Sequence, residues 1–436
     1  MTLFQGILFG VFGLAALIGV FVFATHTGSG GGGNSTTVGT VVIWGTLPKA
    51  SMQNALIAAT QSDASLKAVS YIQKDPNTLA NDLASAIATG NAPDLVVASQ
   101  EELQSLAKLI TPIPFATLSP ATFSTAFIEG GGLFTAPNGA GYYGLPFMVD
   151  PLVLFSNRSI LSSNGIATPP ATWEALTGLV PHIALLTSTK QITRGLIALG
   201  TYDNIHDARG ILSSLFLQTS VPMSTNRNGT LVADLSGTAV SGGIPPGQAV
   251  LNFYTQFADP SKVSYTWNAS LPDSEQSFLT GTLALYIGYA SEAPFLTGAN
   301  PNLDFTVTPL PQPATASAKD AYGRIYALMV PRGAKNPGGA YQAGVILTTA
   351  TIQAVTAPLL HLAPATLTTL STAAPTDPLA SIAYGEALYT HGWLSPAPND
   401  TDSVLSGMIS DVISGRLAPD GALTSAESSL TSLLQK

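Results

Sequence analysis

Aromatic and acidic side chains recur where the predicted strands of this chain end. Five of them lie at or near such edges: Trp44, Tyr142, Tyr143, Asp150 and Tyr289. In open α/β sheets, ligands bind in the crevice outside the carboxyl ends of the strands. Aromatic rings stack on the C–H faces of sugars, and carboxylates accept hydrogen bonds from hydroxyl groups. These residue types suit the binding of a sugar, although Trp44 in the core and Tyr142 and Tyr143 as ordinary strand residues remain alternatives.

The sequence carries none of the motifs that mark common catalytic or cofactor sites. It lacks G-x-S-x-G, the phosphate-binding G-x-x-x-x-G-K-[ST], the dinucleotide fingerprint and H-E-x-x-H. Without cysteine there is no disulfide, thiolate metal site or thiol nucleophile. Asp203, His206 and Asp207 fall within one helical turn, but metal ligation needs more partners, so we interpret them as a solvated helix start. We predict no catalytic residue, no metal site, no cofactor and no enzymatic activity.

Composition narrows the class of protein further. Of 436 residues only 9% are charged, and the formal net charge is −9 with a pI near 4.9. Such a chain offers no basic surface for phosphate backbones, so nucleic acid is excluded as a partner. Apolar residues make up 46% of the chain, enough for buried cores, and the length predicts two or three globular units.

The N-terminal segment predicts a membrane anchor. Residues 3–24 contain no charged side chain, and as a helix they would span about 33 Å, enough for a hydrocarbon core of about 30 Å. We therefore expect a transmembrane helix within residues 1–26, followed by a glycine-rich flexible linker at 27–39. A cleaved signal peptide is the alternative. The body would then lie outside the cytoplasmic membrane, extracellular or periplasmic.

The body alternates predicted strands and helices. Strands are expected at 40–44, 69–72 and 95–97, and helices from Pro48, from Asp75-Pro76 and from a capping box formed by Ser99 and Glu102. Later segments repeat the rhythm, with strands at 152–155, 283–287, 305–307 and 325–330 and helices from Thr172 and Asn336-Pro337. This alternation predicts a mostly parallel sheet covered on both faces. The uncharged stretch at 336–376 is interpreted as a pair of core helices, because of its prolines.

Three stretches carry a resemblance to a known family. They are YGLPFMVDPLVLFSN at 143–157 with GI at 165–166 and PATWEAL at 170–176; FLTGTLALYIG at 278–288 with NLDFTVTPLP at 302–311; and YG at 322–323 with ALMVP at 327–331 and KNP at 335–337. In order and spacing the chain resembles, from about residue 41 to its end, the family 1 extracellular solute-binding proteins. These are the maltose-binding-like receptors of ABC importers. No single motif is diagnostic.

The resemblance implies two α/β lobes joined by a hinge, a periplasmic-binding-protein-like fold with the ligand between the lobes. By analogy the first lobe takes residues 40–149 plus 308–362. The second lobe takes residues 150–307 plus 363–436. The chain would cross between them near 146–150 and 306–309, and the lobes would close on the ligand.

The resemblance also assigns candidate ligand-binding residues. Asp150 matches a position where sugar-binding members place an acidic ligand contact, and Trp44-Gly45-Thr46 matches the first ligand-side loop. The chain departs from the family pattern after the Ile-Gly strand, where many sugar binders carry Trp: either Tyr289 replaces that stacking platform or the platform is missing. The Pro-x-Arg usually seen late in the family is Pro364-Ala365-Thr366 here. The full candidate set is Trp44, Thr46, Tyr142, Tyr143, Asp150, Trp267, Tyr289, Glu292 and Arg324.

The function implied by the resemblance is that of a membrane-tethered extracellular solute-binding protein. It would capture a small solute, with a sugar or oligosaccharide favoured, and deliver it as a monomer to the permease subunits of an ABC importer. Two other classes stay open: a membrane-anchored glycoside-acting enzyme, and an adhesion or sensor module without transport. Within the family, peptides and polyamines are alternative ligands.

Overall fold

The computed structural model describes residues 38–238, 243–372 and 375–436. The predicted anchor and all but the last two residues of the predicted linker lie outside these ranges. Within them no single helix is long and apolar enough to cross a membrane. One helix pair, Pro337–Leu347 and Ala350–Leu360, passes by length and composition only when its two members are taken together, and it is bent by 79°.

The strands of the described residues are short except for two near the centre of the fold. In chain order they are β1 Val41–Gly45, β2 Val69–Gln73, β3 Leu95–Ser99, β4 Thr135–Ala136, β5 Gly141–Tyr142, β6 Gly144–Asn157, β7 Leu185–Leu186, β8 Ile192–Ile197, β9 Met223–Arg227, β10 Thr230–Asp234, β11 Leu283–Tyr289, β12 Phe305–Pro309, β13 Ala321–Met329, β14 Ala363–Pro364 and β15 Thr390–His391.

The α-helices of the described residues lie between and after these strands, and the last two are the longest, with 16 residues each. They are α1 Lys49–Ser62, α2 Leu79–Ala88, α3 Gln100–Leu106, α4 Pro120–Ala126, α5 Arg158–Ser163, α6 Trp173–Ile183, α7 Ala208–Gln218, α8 Pro246–Thr255, α9 Ser274–Leu279, α10 Ala293–Ala299, α11 Pro337–Leu347, α12 Ala350–Leu360, α13 Leu367–Thr372, α14 Pro378–Ala387, α15 Pro398–Ile413 and α16 Pro419–Leu434.

One sheet runs through the molecule in the order β2-β1-β3-β13-β6-β11-β8-β7. As the alternation predicts, β1 pairs in parallel with both β2 and β3. The prediction of a mostly parallel sheet is wrong, because β13, a later segment of the chain, is inserted between β3 and β6 and runs antiparallel to both, and β6 also pairs antiparallel with β11 and β12. The central strands β3, β6 and β11 are buried along their whole length, as expected for strands covered on both faces. We call β1–β3, β13, the part of β6 up to Pro151 and the helices α1–α4 the first lobe. We call the rest of β6, the segments from there to β12 and the helices α5–α10 among them the second lobe.

Strand β6 belongs to both lobes. Its first half pairs with β13 and β14, and its second half pairs with β11 and β12. Pro151 pairs with Gly323 near the start of β13, and the next residue, Leu152, already pairs with Tyr289 of β11. A proline lacks the N–H that an interior ladder needs, so it is tolerated at such a change of partner. The lobe boundaries given by analogy above stay a prediction.

Local sequence signals set several helix starts. Ser99 and Glu102 form the predicted capping box at α3, and the Thr172 side chain accepts from the Ala175 N–H at the start of α6. One prediction is wrong: α2 has its N-cap at Thr78 and not at Asp75. Asp75 instead uses its side chain to accept from the Asn77 N–H, a local turn that competes with helix, so the helix begins later.

Candidate ligand-binding site

Asp150 lies in the middle of β6, where the strand leaves one lobe for the other. Its side chain is only 2% exposed. The carboxylate accepts from the Ser291 N–H at 3.1 Å and from the Ser291 hydroxyl at 2.6 Å. Ser291 sits in the 3₁₀ turn Ala290–Glu292 that directly follows β11. Burial raises the pKa of Asp150 to about 6, against the lowering effect of Ser291 and Arg324.

Arg324 faces the same point from the neighbouring strand. It pairs with Asp150 in the register of β13 and β6. Its guanidinium lies 3.9 Å from the centre of the Tyr289 ring, the last residue of β11. A cation over the face of a tyrosine is attracted by the ring quadrupole, and the attraction grows when water is excluded. The ring of Tyr289 is therefore already covered on one face by a cation.

Glu101 connects the two lobes through ion pairs. Its Oε2 lies 3.0 Å from Arg209 of α7 and 3.3 Å from Arg324, and Tyr322 donates its hydroxyl to Oε1 at 2.6 Å. Burial alone would raise the pKa of Glu101, but the two arginines and Tyr322 outweigh it and hold the pKa below its usual value. Arg209 also lies 3.5 Å from Asp402 of α15. Because Arg209 belongs to the second lobe, the Glu101–Arg209 pair crosses the junction.

Near this cluster the carboxylates of Glu292 and Asp207 lie close together, and neither forms an ion pair with an arginine or lysine of the described residues. Glu292 accepts from the Tyr286 hydroxyl at 2.5 Å and from the Tyr289 N–H at 2.8 Å. Burial and then the charge of Asp207 raise the pKa of Glu292 well above its usual value. Asp207 is 9% exposed, so the interpretation of this segment as a solvated helix start is wrong for Asp207. Asp207 is buried because it directly precedes α7, and α7 packs on β13.

The structure brings together four of the candidate residues, and the others lie apart from this cluster. Asp150, Tyr289, Glu292 and Arg324 surround the junction. Trp44 and Thr46 are half-buried at the end of β1, and the Lys74 ammonium lies 3.9 Å from the centre of the Trp44 ring. Tyr142 is buried and stacked on Phe123, with 3.8 Å between the ring centres, and Tyr143 is half-buried. Trp267 is buried and donates to the Asn204 side chain at 3.3 Å. Ligand roles for all nine stay predictions.

Glu101, Arg209 and Tyr322 were missed from the sequence, although together they make the most highly connected part of the junction. A signal existed for Glu101, because it follows the carboxyl end of β3, where parallel sheets place ligand-facing groups. Its neighbour Glu102 drew attention as half of a capping box instead. For Arg209 there was no signal, since its partner lies 108 positions away in the chain.

A separate cavity of about 520 Å³ opens at the other end of α7. Its walls come from residues 132–135, from 217–231 and from 391–394, and they include Asp320 and His391. The His391 Nδ1 lies 3.2 Å from Asp320, and the hydrogen bond between them raises the pKa of His391. The volume lies within the range of small-molecule pockets, about 300–1,000 Å³.

The fold and the junction define a class of protein: a two-lobe α/β binding protein whose lobes share a central strand and meet at a buried polar cluster. The family model described as bacterial extracellular solute-binding protein matches residues 55–380. The chain belongs to this family, which confirms the resemblance seen in the sequence and places the body outside the cytoplasm. The predicted two-lobe fold is confirmed with it.

Solved structures share the fold at low sequence identity. A cyclo/maltodextrin-binding protein in complex with maltotetraose has 15% identity and a TM-score of 0.71, covering 93% of this chain and 99% of its own. A cyclic α-maltosyl-1,6-maltose binding protein from Arthrobacter globiformis has 15% identity and a TM-score of 0.73, covering 91% and 99%. A maltose/maltodextrin-binding domain from Bdellovibrio bacteriovorus bound to maltotriose has 16% identity and a TM-score of 0.65, covering 91% and 100%. A search of curated proteins finds no match.

Proposed function

We propose that this protein captures a sugar or oligosaccharide between its lobes and delivers it to the permease of an ABC importer. The observation that carries the proposal is Asp150, a buried carboxylate in β6, the strand that both lobes share. A solute held there contacts both lobes at once. A receptor of this kind needs such a point, because a ligand favours the closed form only through contacts that the open form lacks.

The groups around Asp150 suit hydroxyl-rich ligands. The carboxylate accepts hydrogen bonds from sugar hydroxyls, and the Arg324 guanidinium donates them. The three sugar-binding proteins of similar fold support a saccharide as the ligand class. Their low identity supports no particular sugar.

The Glu101–Arg209 pair gives the proposed closure a physical basis. It joins the lobes at the edge of the junction, so its Coulomb attraction contributes to the closed form together with the ligand. The closed form would then dock on the permease. Residues 1–26 would act as an anchor and 27–39 as a flexible tether that keeps the monomeric receptor at the membrane, which raises its effective concentration beside the transporter.

A thermal-shift screen of the full-length chain tests the proposal. The panel is mono-, di- and oligosaccharides, amino acids, peptides and polyamines. A ligand at 100 times its Kd adds about 2.7 kcal/mol to the free energy of unfolding, a shift of several degrees or less for a chain of this size. We expect hits confined to saccharides. A flat response to every saccharide would overturn the proposal.

Variants of the junction give the matched controls for any hit. Asp150→Asn is expected to weaken binding about tenfold or more, because a charged acceptor is lost. Asp304→Asn removes the same charge from a side chain that is 61% exposed and should leave affinity unchanged. The bound saccharide should be recovered intact, and small-angle scattering should show compaction. Hydrolysis of the saccharide would favour the glycoside-acting enzyme. Binding without compaction would favour the adhesion or sensor module.

A further inference from the structure

His206, Asp207 and Glu292 form a compact set of ligating groups beside the junction. One nitrogen or oxygen from each lies within 4.8 Å of the other two. His206 and Asp207 directly precede α7, and Glu292 ends the turn after β11, so two separate segments of the second lobe meet here. Sequence spacing could not reveal this set, since 85 positions separate Asp207 from Glu292.

The Asp207 carboxylate has an unusual environment for its position. As the N-cap of α7 it is placed to accept from the backbone N–H groups of the first turn, yet its side chain makes no such bond. Its Oδ2 is buried, and among the described residues it has no hydrogen-bond donor as long as Glu292 is ionised. A buried, unpartnered carboxylate is costly, and such groups are normally paired or bound to a metal ion. The Asp207 carboxylate instead lies close to the carboxylate of Glu292.

Glu292 is held in place by its other contacts. The Tyr286 hydroxyl donates to Oε2 and the Tyr289 N–H donates to Oε1, which leaves a lone pair free on each oxygen. Gly288 makes room for this arrangement, because a Cβ at that position would lie 2.6 Å from Oε2. The carboxylate is therefore fixed in advance, as ligands of a metal site need to be.

His206 completes the set from the solvent side. Its ring is 45% exposed, and its Nε2 lies 4.0 Å from a carboxylate oxygen of Glu275. The backbone N–H of His206 donates to Ser274 at 2.9 Å, which holds the residue while its ring stays free to turn. An ion can enter along the exposed ring, so the site has a route from solvent as well as ligands.

We propose that His206, Asp207 and Glu292 bind a divalent transition-metal ion of the Zn²⁺ type. Imidazole nitrogen and carboxylate oxygen are both ligands that zinc accepts, and water would fill the remaining position. Zinc–ligand distances of about 2.0–2.2 Å require the three groups to close by about 1 Å, which the exposed His206 ring can provide. The ion would tie the start of α7 to the turn that carries Ser291. The ion needs no bound solute, although Glu292 is also one of the candidate solute ligands.

Titration calorimetry of the metal-depleted full-length chain with ZnCl₂ tests this site. We expect one saturable site per chain. Changes in outer-shell groups already cost about 10–100-fold in metal affinity, so His206→Ala and Asp207→Asn should each weaken binding at least about tenfold. His182→Ala and Asp203→Asn remove an exposed histidine and an exposed aspartate nearby, and they should bind zinc as the unchanged chain does.

Several results would overturn the proposal. One is the absence of saturable zinc binding. Another is a zinc affinity in His206→Ala and Asp207→Asn that equals the affinity of the unchanged chain. Calcium provides a further contrast, because an imidazole ligand favours zinc over a cation that prefers oxygen. Calcium binding as tight as zinc binding, and unaffected by His206→Ala, would remove His206 from the site and with it the proposed class of ion.

Discussion

Two glutamates of the junction, Glu101 and Glu292, show how neighbours decide the state of a buried acid. Burial raises the pKa of both. Two arginines and a tyrosine hydroxyl reverse this effect at Glu101, whereas the charge of Asp207 adds to it at Glu292. The pKa values of two buried glutamates are thus shifted in opposite directions: Glu101 is held ionised, and Glu292 is pushed toward its neutral form.

Glu101 and Glu292 also differ in which lobes their neighbours belong to. The partners of Glu101 come from both lobes, so its ion pairs resist separation of the lobes. Glu292 and Asp207 belong to one lobe, and their repulsion does not depend on how the lobes are placed. Positive charge is scarce, with 16 Lys and Arg in 436 residues, and two of these residues are used on Glu101. One of these two, Arg209, ties Glu101 to the second lobe.

The largest effect is expected from Glu101→Gln. The substitution keeps the shape of the side chain and leaves Arg209 and Arg324 without their shared carboxylate. Removing one partner of a buried ion pair typically costs about 3–5 kcal/mol. Urea denaturation should therefore show a loss of this size in the free energy of unfolding. The exposed Glu129→Gln is the control, and a loss below about 1 kcal/mol for Glu101→Gln would contradict the comparison.

A smaller effect is expected from the pH dependence of stability. Burial raises the pKa of Asp150 to about 6, so the folded protein holds this proton more tightly than the unfolded chain. Its contribution is fully present below the unfolded pKa, about 3.9, and is lost as pH rises through 6. The loss between pH 4 and 7 is about 2 kcal/mol.

Unfolding measured from pH 4 to 8 checks this sign. Stability of the unchanged chain should fall relative to Asp150→Asn as pH rises, with Asp304→Asn as the exposed control. Glu102 and Glu386, with pKa values raised to about 7, should add a fall of the same sign in both proteins. A difference between the two proteins that stays flat with pH would show that Asp150 titrates normally.

Much of the fold could be predicted from the sequence because its signals are local. The capping box at Ser99 and the runs of branched residues that form β1 and β11 need only neighbouring residues. Strand β6 was predicted as 152–155 but extends over Gly144–Asn157. Pro146 and Pro151 argue against a long interior strand, and the structure accommodates them at a shift in register and at a change of partner.

The candidate site was less predictable because its contacts are not local. Asp150 and Tyr289 were predicted to lie near strand ends. Tyr289 does end β11, but Asp150 lies in the middle of β6, because the strand begins at Gly144 and not at Leu152. Both residues lie at the junction. Arg209 and Tyr322 reach Glu101 from 108 and 221 positions away, and only the assembled sheet makes them neighbours. The same holds for Asp207, which meets Glu292 although 85 positions separate the two residues in the chain.

The smallest effect, with the opposite sign, is expected from Asp207→Asn. Neutralising this buried carboxylate relieves its repulsion with Glu292 and removes an unpartnered charge. We expect the free energy of unfolding at pH 8 in EDTA to rise by about 1 kcal/mol. The exposed Asp203→Asn should stay within about 0.5 kcal/mol of the unchanged chain. A loss of stability in Asp207→Asn would mean that Asp207, like Glu101, has a favourable partner, and the contrast between the two acids would fail.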